Sequence, residues 1–203
     1  MFALVQDGSI TKYISGNRGI TIGDIQYPQN IFTLWSAAER EAIGIYEVVF
    51  DNSNKKDEAY YINTNQSFNF ADGVVTASYG SPTAKELDDR NATNEAGEEL
   101  DPVVVIEGLK TIKIREVKLQ AAGILQDTDW YVVRKADAGT AVPSAVTTHR
   151  AAVRTKSGEM ETAITNASDT PALETLYTYV ITADEGDPVV MERPLGELPT
   201  LEV

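Results

Sequence analysis

Residues 109–134 of the 203-residue chain read LKTIKIREVKLQAAGILQDTDWYVVR, and they set the architecture expected for its second half. Residues 109–125 predict an amphipathic helix, because Ile114, Val117, Ala121 and Leu125 recur at three- and four-residue spacing. The start of this helix stays open, since Ile112-Lys113-Ile114 alternates as a strand does. Residues 126–129 are polar and end that helix. The aromatic and β-branched run at 130–133 forms a compact apolar cluster, and we expect Trp130 to lie buried between two helices.

A second helix is predicted after this cluster, over residues 143–166. Pro143 suits the first turn of a helix, because the N–H that proline lacks would have no hydrogen-bond partner within the helix there. Residues 135–142 are interpreted as the loop before it, and Ser157-Gly158 as a kink within it. The residues on one side of the helix are Val146, Arg150, Val153, Met160 and Ile164. The two helices predict a helical hairpin inside a mainly helical module at 102–182.

The flanks of this module are acidic. Residues 81–101 carry seven acidic and two basic side chains and offer few apolar groups to bury, so we expect a solvated linker. Residues 183–203 include Pro188, Pro194 and Pro199, and we expect an extended acidic tail.

Residues 1–80 predict a small antiparallel β-rich module with one short helix. Asp7-Gly8 is a two-residue turn signal between two apolar, strand-like runs. Ser36-Ala-Ala-Glu39 has the form of a capping box, and Gly44 is a natural helix terminator. The fold class expected for the whole chain is therefore α+β.

Composition excludes several classes of function. The chain has 31 acidic and 17 basic residues, a formal net charge of −14, which disfavours binding to nucleic acid or to an anionic membrane. It has no cysteine, and His149 is its only histidine, so thiolate and His-rich metal sites are excluded.

The sequence also predicts where in the cell the protein is found. No stretch approaches the ~20 apolar residues of a membrane span. The N-terminal residues MFALVQDGS lack the basic start and apolar core of a signal peptide. We expect a soluble protein made in a reducing bacterial cytoplasm.

Motifs for catalysis are missing: the sequence contains no P-loop, dinucleotide fingerprint or nucleophile elbow. We expect no enzymatic activity, no catalytic residue, no metal and no cofactor. Asp127 and Asp129 leave a hydrolase pair conceivable, but a turn and helix cap explains them better. His149 is interpreted as a surface or packing residue. The nine tyrosines and two tryptophans leave a carbohydrate-binding platform open, although sheet positions account for most of them.

Charge is unevenly distributed along the chain. Residues 110–156 hold nine basic and four acidic residues, so this window carries +5. One interpretation is intramolecular, with the acidic flanks neutralising a basic module. The other is a basic docking face for an acidic protein partner. Its candidate residues are Arg134, Arg150 and Arg154, which could equally cover apolar surface with their stems.

A wider pattern joins these residues. A helix ends in Leu125-x-x-Thr128-Asp129-Trp130, Arg134 follows, and a Pro-led helix then carries His149-Arg150-x-x-x-Arg154. Over about residues 109–166 this resembles the C-terminal module of tailed-phage tail assembly and tail-fibre assembly chaperone proteins. Residues 27–32 and 43–46 are similar to the β-rich module that often precedes it in marine phage tail proteins.

The resemblance implies a non-enzymatic protein that binds tail-fibre or tail/baseplate proteins. Asp129 caps the turn and Trp130 holds the hairpin, while Arg134, Arg150 and Arg154 form a basic stripe for the partner. Such a protein acts as an assembly chaperone in the host cytoplasm or stays in the virion as an adaptor. It forms an oligomer if the symmetry of its partner imposes one. The alternative is a carbohydrate-binding, receptor-recognition module of a phage tail.

Overall fold

The computed structural model describes residues 1–182 and 189–201. The chain folds into two compact units, residues 1–83 (unit 1) and residues 84–203 (unit 2). Helices and strands occur in both, as expected for an α+β protein. Among the described residues, none of the helices combines the length and apolar composition that crossing a lipid bilayer requires.

Unit 1 is a β-rich unit with two short helices. Its elements, in chain order, are β1 (Phe2–Gln6), β2 (Ser9–Ile14), β3 (Ile20–Ile22), β4 (Ile25–Tyr27), α1 (Ile31–Leu34), α2 (Ala37–Glu41), β5 (Ile45–Asp51), β6 (Tyr61–Ile62), β7 (Ser67–Ala71), β8 (Val74–Ser78) and β9 (Thr83–Ala84), which reaches the boundary with unit 2. The main sheet has the order β2-β1-β5-β8-β7, and β3 and β4 form a separate hairpin.

The main sheet corrects the prediction of a purely antiparallel module with one helix. Strands β5 and β8 pair in parallel, with Val48 opposite Val75, whereas the other neighbouring strands are antiparallel. Helix α1 is additional to the expected helix. A parallel pair needs a long connection, and no local turn signal reveals which distant strands it will join.

Local signals in unit 1 are confirmed. Asp7 and Gly8 both adopt positive φ in the β1–β2 turn. In the capping box of α2, the Ser36 hydroxyl accepts the Glu39 N–H and the Glu39 carboxylate accepts the Ser36 N–H at 2.8 Å. The Ser36 hydroxyl also donates to the Glu39 carboxylate at 2.7 Å, and this bond, together with the one from the Ser36 N–H, lowers the pKa of Glu39.

The main sheet of unit 1 buries apolar side chains on both faces. Since side chains alternate along a strand, Ala3 and Val5 of β1 contribute to one apolar cluster, and Leu4 contributes to another on the opposite face. The rings of Tyr13 on β2 and Phe68 on β7 lie 4.6 Å apart, so the two edge strands approach each other.

Unit 2 contains β10 (Arg90–Asn91), β11 (Val105–Ile106), α3 (Leu109–Gln126), α4 (Asp129–Ala138), α5 (Ser144–Thr165), α6 (Thr170–Tyr177), β12 (Val180–Ile181) and β13 (Met191–Glu192). Its buried apolar residues include Leu109, Val117, Val146, Val153, Met160, Ile164, Leu173 and Leu195. Helix α5 runs without a break through Ser157-Gly158, where a kink or break was predicted.

Helices α3 and α5 form an antiparallel pair, as the helical-hairpin prediction requires. The end of α3 contacts the start of α5, where Arg150 donates to the Leu125 carbonyl. Further along, Lys118 pairs with Glu161 at 3.3 Å. The predicted loop at 135–142 is instead helical up to Ala138, where Gly139 ends α4 in the left-handed conformation.

The segment predicted as a linker, 81–101, takes part in folded structure. Residues 84–101 belong to unit 2, and β10 pairs with β11. Just before β10, the carbonyls of Glu86 and Leu87 accept the N–H groups of Leu109 and Lys110, the first two residues of α3. The first N–H groups of a helix have no partner inside it, so this acidic segment caps α3.

The predicted tail is also folded where it is described. Met191–Glu192 pairs with β12, and Leu195 is buried with its N–H donating to the Leu176 carbonyl. Residues 191–192 are extended, as predicted, but they are paired in a hairpin, and Leu195 is buried in unit 2. Residues 183–188 and 202–203 of that prediction lie outside the described residues.

Candidate protein-binding surface

Arg150 is at the centre of a buried polar cluster at the corner between α3 and α4. Its Nη1 donates to the Leu125 carbonyl and to the Thr128 hydroxyl, both at 2.7 Å. Its Nη2 lies 2.8 Å from an Asp129 carboxylate oxygen. The Thr128 hydroxyl in turn donates to the Leu125 carbonyl at 3.0 Å. The Arg150 cluster, formed by these four residues, fixes the direction in which α4 leaves α3.

This cluster corrects the predicted basic stripe. Arg150 is only 8% exposed and cannot lie on a docking face with Arg134 and Arg154. Its helix spacing already placed it on the side of α5 that carries Val146 and Val153, and that side is the buried one. Arg154 is exposed, and its Nη1 makes a long hydrogen bond of 3.3 Å to the Arg150 carbonyl.

Helix α4 is the exposed element of the corner. None of its ten residues is buried. Trp130 is 51% and Val133 65% exposed, so Trp130 does not lie between two helices as predicted. The predicted role of Asp129 is met in part: it starts the helix, but its side chain is bound to Arg150 rather than to a backbone N–H.

Arg134 is held by two aromatic rings on α4. Its guanidinium carbon lies 4.6 Å from the centre of the Trp130 ring and 5.4 Å from that of Tyr131. The two rings are themselves 3.9 Å apart. The spacing of four and three residues brings both rings to the same guanidinium. The term α4 surface is used below for four residues of this helix: Trp130, Tyr131, Val133 and Arg134.

The +5 window is largely neutralised within unit 2. Six of its nine basic residues form ion pairs, and four of the six acidic partners lie outside the window. The six pairs are Lys110–Asp88, Lys113–Glu116, Arg115–Glu107, Lys118–Glu161, Arg150–Asp129 and Lys156–Glu159. Among the described residues, no ion pair involves Arg134, Lys135 or Arg154. The intramolecular interpretation therefore accounts for most of the window.

Two further apolar surfaces in unit 2 were not singled out from the sequence. The first is a groove of about 490 Å³ on the outer side of α3, where Leu119 is 66% exposed beside Ile114. The second consists of the short hairpins, which expose Val103 to Ile106 on one and Val180, Ile181, Val190 and Met191 on the other. The β-branched run at 103–106 favours a strand, but strand propensity carries no signal of exposure.

The candidate chemical groups have different surroundings. Asp129 is paired with Arg150, while Asp127 lines a separate groove with Glu197 and Gln120. His149 is buried in α5, which agrees with the packing role among its two interpretations. In the described part of the chain, nowhere do three or more His, Asp or Glu side chains gather in an arrangement that could hold a metal ion.

Several aromatic residues of unit 1 are engaged in packing rather than aligned in a platform. Tyr46 packs against Phe70 with ring centres 4.8 Å apart, and Tyr27 meets Trp35 edge-on at 6.0 Å. Both pairs adjoin the apolar clusters of the sheet.

Comparison with protein-family models, with curated proteins and with solved structures finds no match to this chain.

Proposed function

We propose that this chain is a non-enzymatic protein of a tailed-phage tail that binds tail-fibre or tail/baseplate proteins through unit 2. The phage assignment rests on the resemblance of residues 109–166 to tail assembly and tail-fibre assembly chaperone proteins. The binding role rests on the exposed side chains of α4.

Helix α4 carries the proposal. Apolar residues are common on protein surfaces when scattered, but here Trp130, Val133 and the stacked Arg134 share one short helix. Trp, Tyr and Arg are the residues most enriched among those that dominate binding energy at protein interfaces. The Arg150 cluster anchors this helix at its start. Little ordering entropy is then lost on binding, because the surface is held before the partner arrives.

The surroundings of the two carboxylates argue against the hydrolase alternative. Asp129 is held by Arg150 at 2.8 Å, and its partner in a hydrolase pair, Asp127, lies on another groove. Acid–base catalysis needs titratable groups within reach of one reacting atom, and these two face different surroundings.

A co-purification experiment tests the binding role. The full-length chain is co-expressed with the tail-fibre and baseplate proteins encoded in the same genome, as wild type, Trp130→Ala and Val133→Ser. We expect wild type to retain one of these proteins and each variant to retain at least ten-fold less. Leu34→Ser, at an exposed apolar position of unit 1, is the matched control and should bind as wild type does. Failure of wild type to retain any of them contradicts the proposal.

Mass spectrometry of purified particles distinguishes the two versions of this role. A virion adaptor is present in stoichiometric copies, whereas an assembly chaperone is absent from particles and found with the fibre protein in the host cytoplasm. Saturable binding on a glycan array, without retention of any tail protein, would instead favour the carbohydrate-binding alternative.

A further inference from the structure

Two of the three basic residues of the 110–156 window that form no ion pair among the described residues lie on α4, beside the exposed Trp130. Most basic residues of the 110–156 window are paired within the chain, as described above. Arg134 and Lys135, adjacent on α4, form no ion pair among the described residues. Of the two acidic residues on α4, Asp129 is bound to Arg150. Asp137 forms no ion pair with Arg134 in the described part of the chain. The α4 surface therefore presents a cation without an anion on a protein of net charge −14.

The side chain of Arg134 is also ordered in advance. Trp130 and Tyr131 cover its guanidinium at 4.6 and 5.4 Å. Its Nε is shielded from solvent and has no hydrogen-bond partner among the described residues. Guanidinium donors lie in the plane of the group, so a ring over the face leaves the edge as the direction for hydrogen bonds. A carboxylate fits the Nη1–Nη2 end of that edge with two parallel N–H···O bonds, and the shielded Nε takes no part in them.

We infer that Arg134 is the anchor for a carboxylate on the partner, in a segment whose neighbouring apolar side chain covers Trp130 and Val133. This inference rests on the proposed function and names the chemistry of its partner: an acidic side chain beside an apolar one. Trp130 has two roles, because its ring both orients the guanidinium and supplies apolar contact area. Binding strengthens the ion pair, since the partner excludes water from it.

A titration with a small probe tests the anchor without any tail protein. The ¹⁵N-labelled full-length chain is titrated with acetyl-Leu-Glu-amide and, separately, with the neutral acetyl-Leu-Gln-amide. The readouts are the NMR signals of the Trp130 indole N–H and the Arg134 Nε–H. With only two tryptophans in the chain, a Trp130→Phe variant assigns the indole signal. We expect the glutamate probe to shift both signals saturably and the glutamine probe to give a shift at least five-fold smaller.

Variants complete the test. Arg134→Gln should abolish the response to the glutamate probe, and Arg134→Lys should weaken it, because lysine keeps the charge but not the planar fork. Arg18→Gln removes the same charge from an exposed position of unit 1 and should respond as wild type does. An equal response to both probes, a response that survives Arg134→Gln, or no response from wild type would each overturn the anchor.

The same variants separate this inference from the proposed function. In the co-purification experiment, Arg134→Gln should reduce retention of the partner at least ten-fold. If Arg134→Gln retains the partner fully while Trp130→Ala and Val133→Ser lose it, the anchor is wrong and the binding role stands. If all three retain it, the α4 surface is not the binding surface.

Discussion

The Arg150 guanidinium donates to the Thr128 hydroxyl at 2.7 Å, although the two residues are 22 positions apart in the sequence. Thr128 is one of the two residues between α3 and α4, and it is only 3% exposed. The contact ties the α3–α4 corner to the helix that packs against α3. The direction of α4, and with it the exposure of Trp130, depends on this pair.

Removing the Arg150 side chain is expected to destabilise unit 2. We expect Arg150→Met to lower the free energy of unfolding by about 3 kcal/mol. This is the low end for breaking a buried ion pair, because Asp129 keeps access to water. Urea denaturation followed by helical circular dichroism measures it, since most of the helix is in unit 2. Arg154→Met, one turn further along and exposed, should change stability by only about ±0.5 kcal/mol. Equal effects of the two substitutions would contradict the Arg150 cluster.

Truncating Trp130 is expected to have little effect on folding. Its ring is half exposed and contacts Tyr131 and Arg134 on its own helix. We expect Trp130→Ala to reduce stability by about 1 kcal/mol or less, the value of an aromatic pair. Thermal melts compare this variant with Met160→Ala, at a buried position of α5, which should lower the free energy of unfolding by about 2–5 kcal/mol. A loss for Trp130→Ala as large as that for Met160→Ala would mean that the ring is buried in the core.

Gly108 is expected to tolerate no side chain. A Cβ at this position would lie 2.4 Å from the carbonyl carbon of Asp88 and 2.5 Å from the Leu87 oxygen, both backbone atoms. We expect Gly108→Ala to cost about 1–3 kcal/mol or more, because the capping segment must move away from α3. Gly158, within α5, has nothing within 4 Å of such a Cβ. Gly158→Ala should therefore stabilise the protein by about 0.5–1 kcal/mol. Chemical denaturation of both variants checks the opposite signs.

The contribution of Asp89 to stability is expected to depend on pH. Its carboxylate accepts the Gly108 N–H at 2.7 Å and the Thr111 hydroxyl at 3.0 Å, and these bonds lower the pKa of Asp89. A carboxyl group with a lowered pKa contributes stability above its unfolded pKa of about 3.9 and loses it as the pH falls through the folded value.

We therefore expect Asp89→Asn to lower the melting temperature at pH 7, and the difference from wild type to shrink below about pH 4. Calorimetry between about pH 2 and pH 7 measures this difference, because that range spans the pKa of the carboxyl group. Asp24→Asn, at an exposed turn position of unit 1, should leave the melting temperature at pH 7 unchanged. A difference for Asp89→Asn that is constant across the range would exclude the carboxylate as its source.

Short sequence patterns correctly predicted the helices in which they lie. The capping box at Ser36 and Glu39 forms as expected, because both of its hydrogen bonds are made within four residues. The periodicity of α5 also predicted its buried side, since Val146, Val153, Met160 and Ile164 are all in the core. The same periodicity placed Arg150 among them, yet its charge led us to expect a surface residue.

The acidic segment at 81–101 shows why composition alone did not predict that these residues are part of a folded unit. Few apolar side chains predict a solvated chain, and most of these residues are indeed exposed. What holds residues 86–89 in place is hydrogen bonding to the first N–H groups of α3, about 20 residues further along the chain. Backbone carbonyls belong to every residue type, so no sequence pattern marks this contact.

The sequence alone therefore determines the fold class, the boundaries of the long helices, the capped turns and the apolar side of α5, because those depend on neighbours within one or two turns. Tertiary structure decides which strands of unit 1 pair in parallel and that Arg150 is enclosed while Trp130 is exposed. It also decides that Arg134 forms no ion pair with any residue that the structure describes. Each of these depends on contacts between distant segments, where burial and ion pairing are set by the partner that another part of the chain provides.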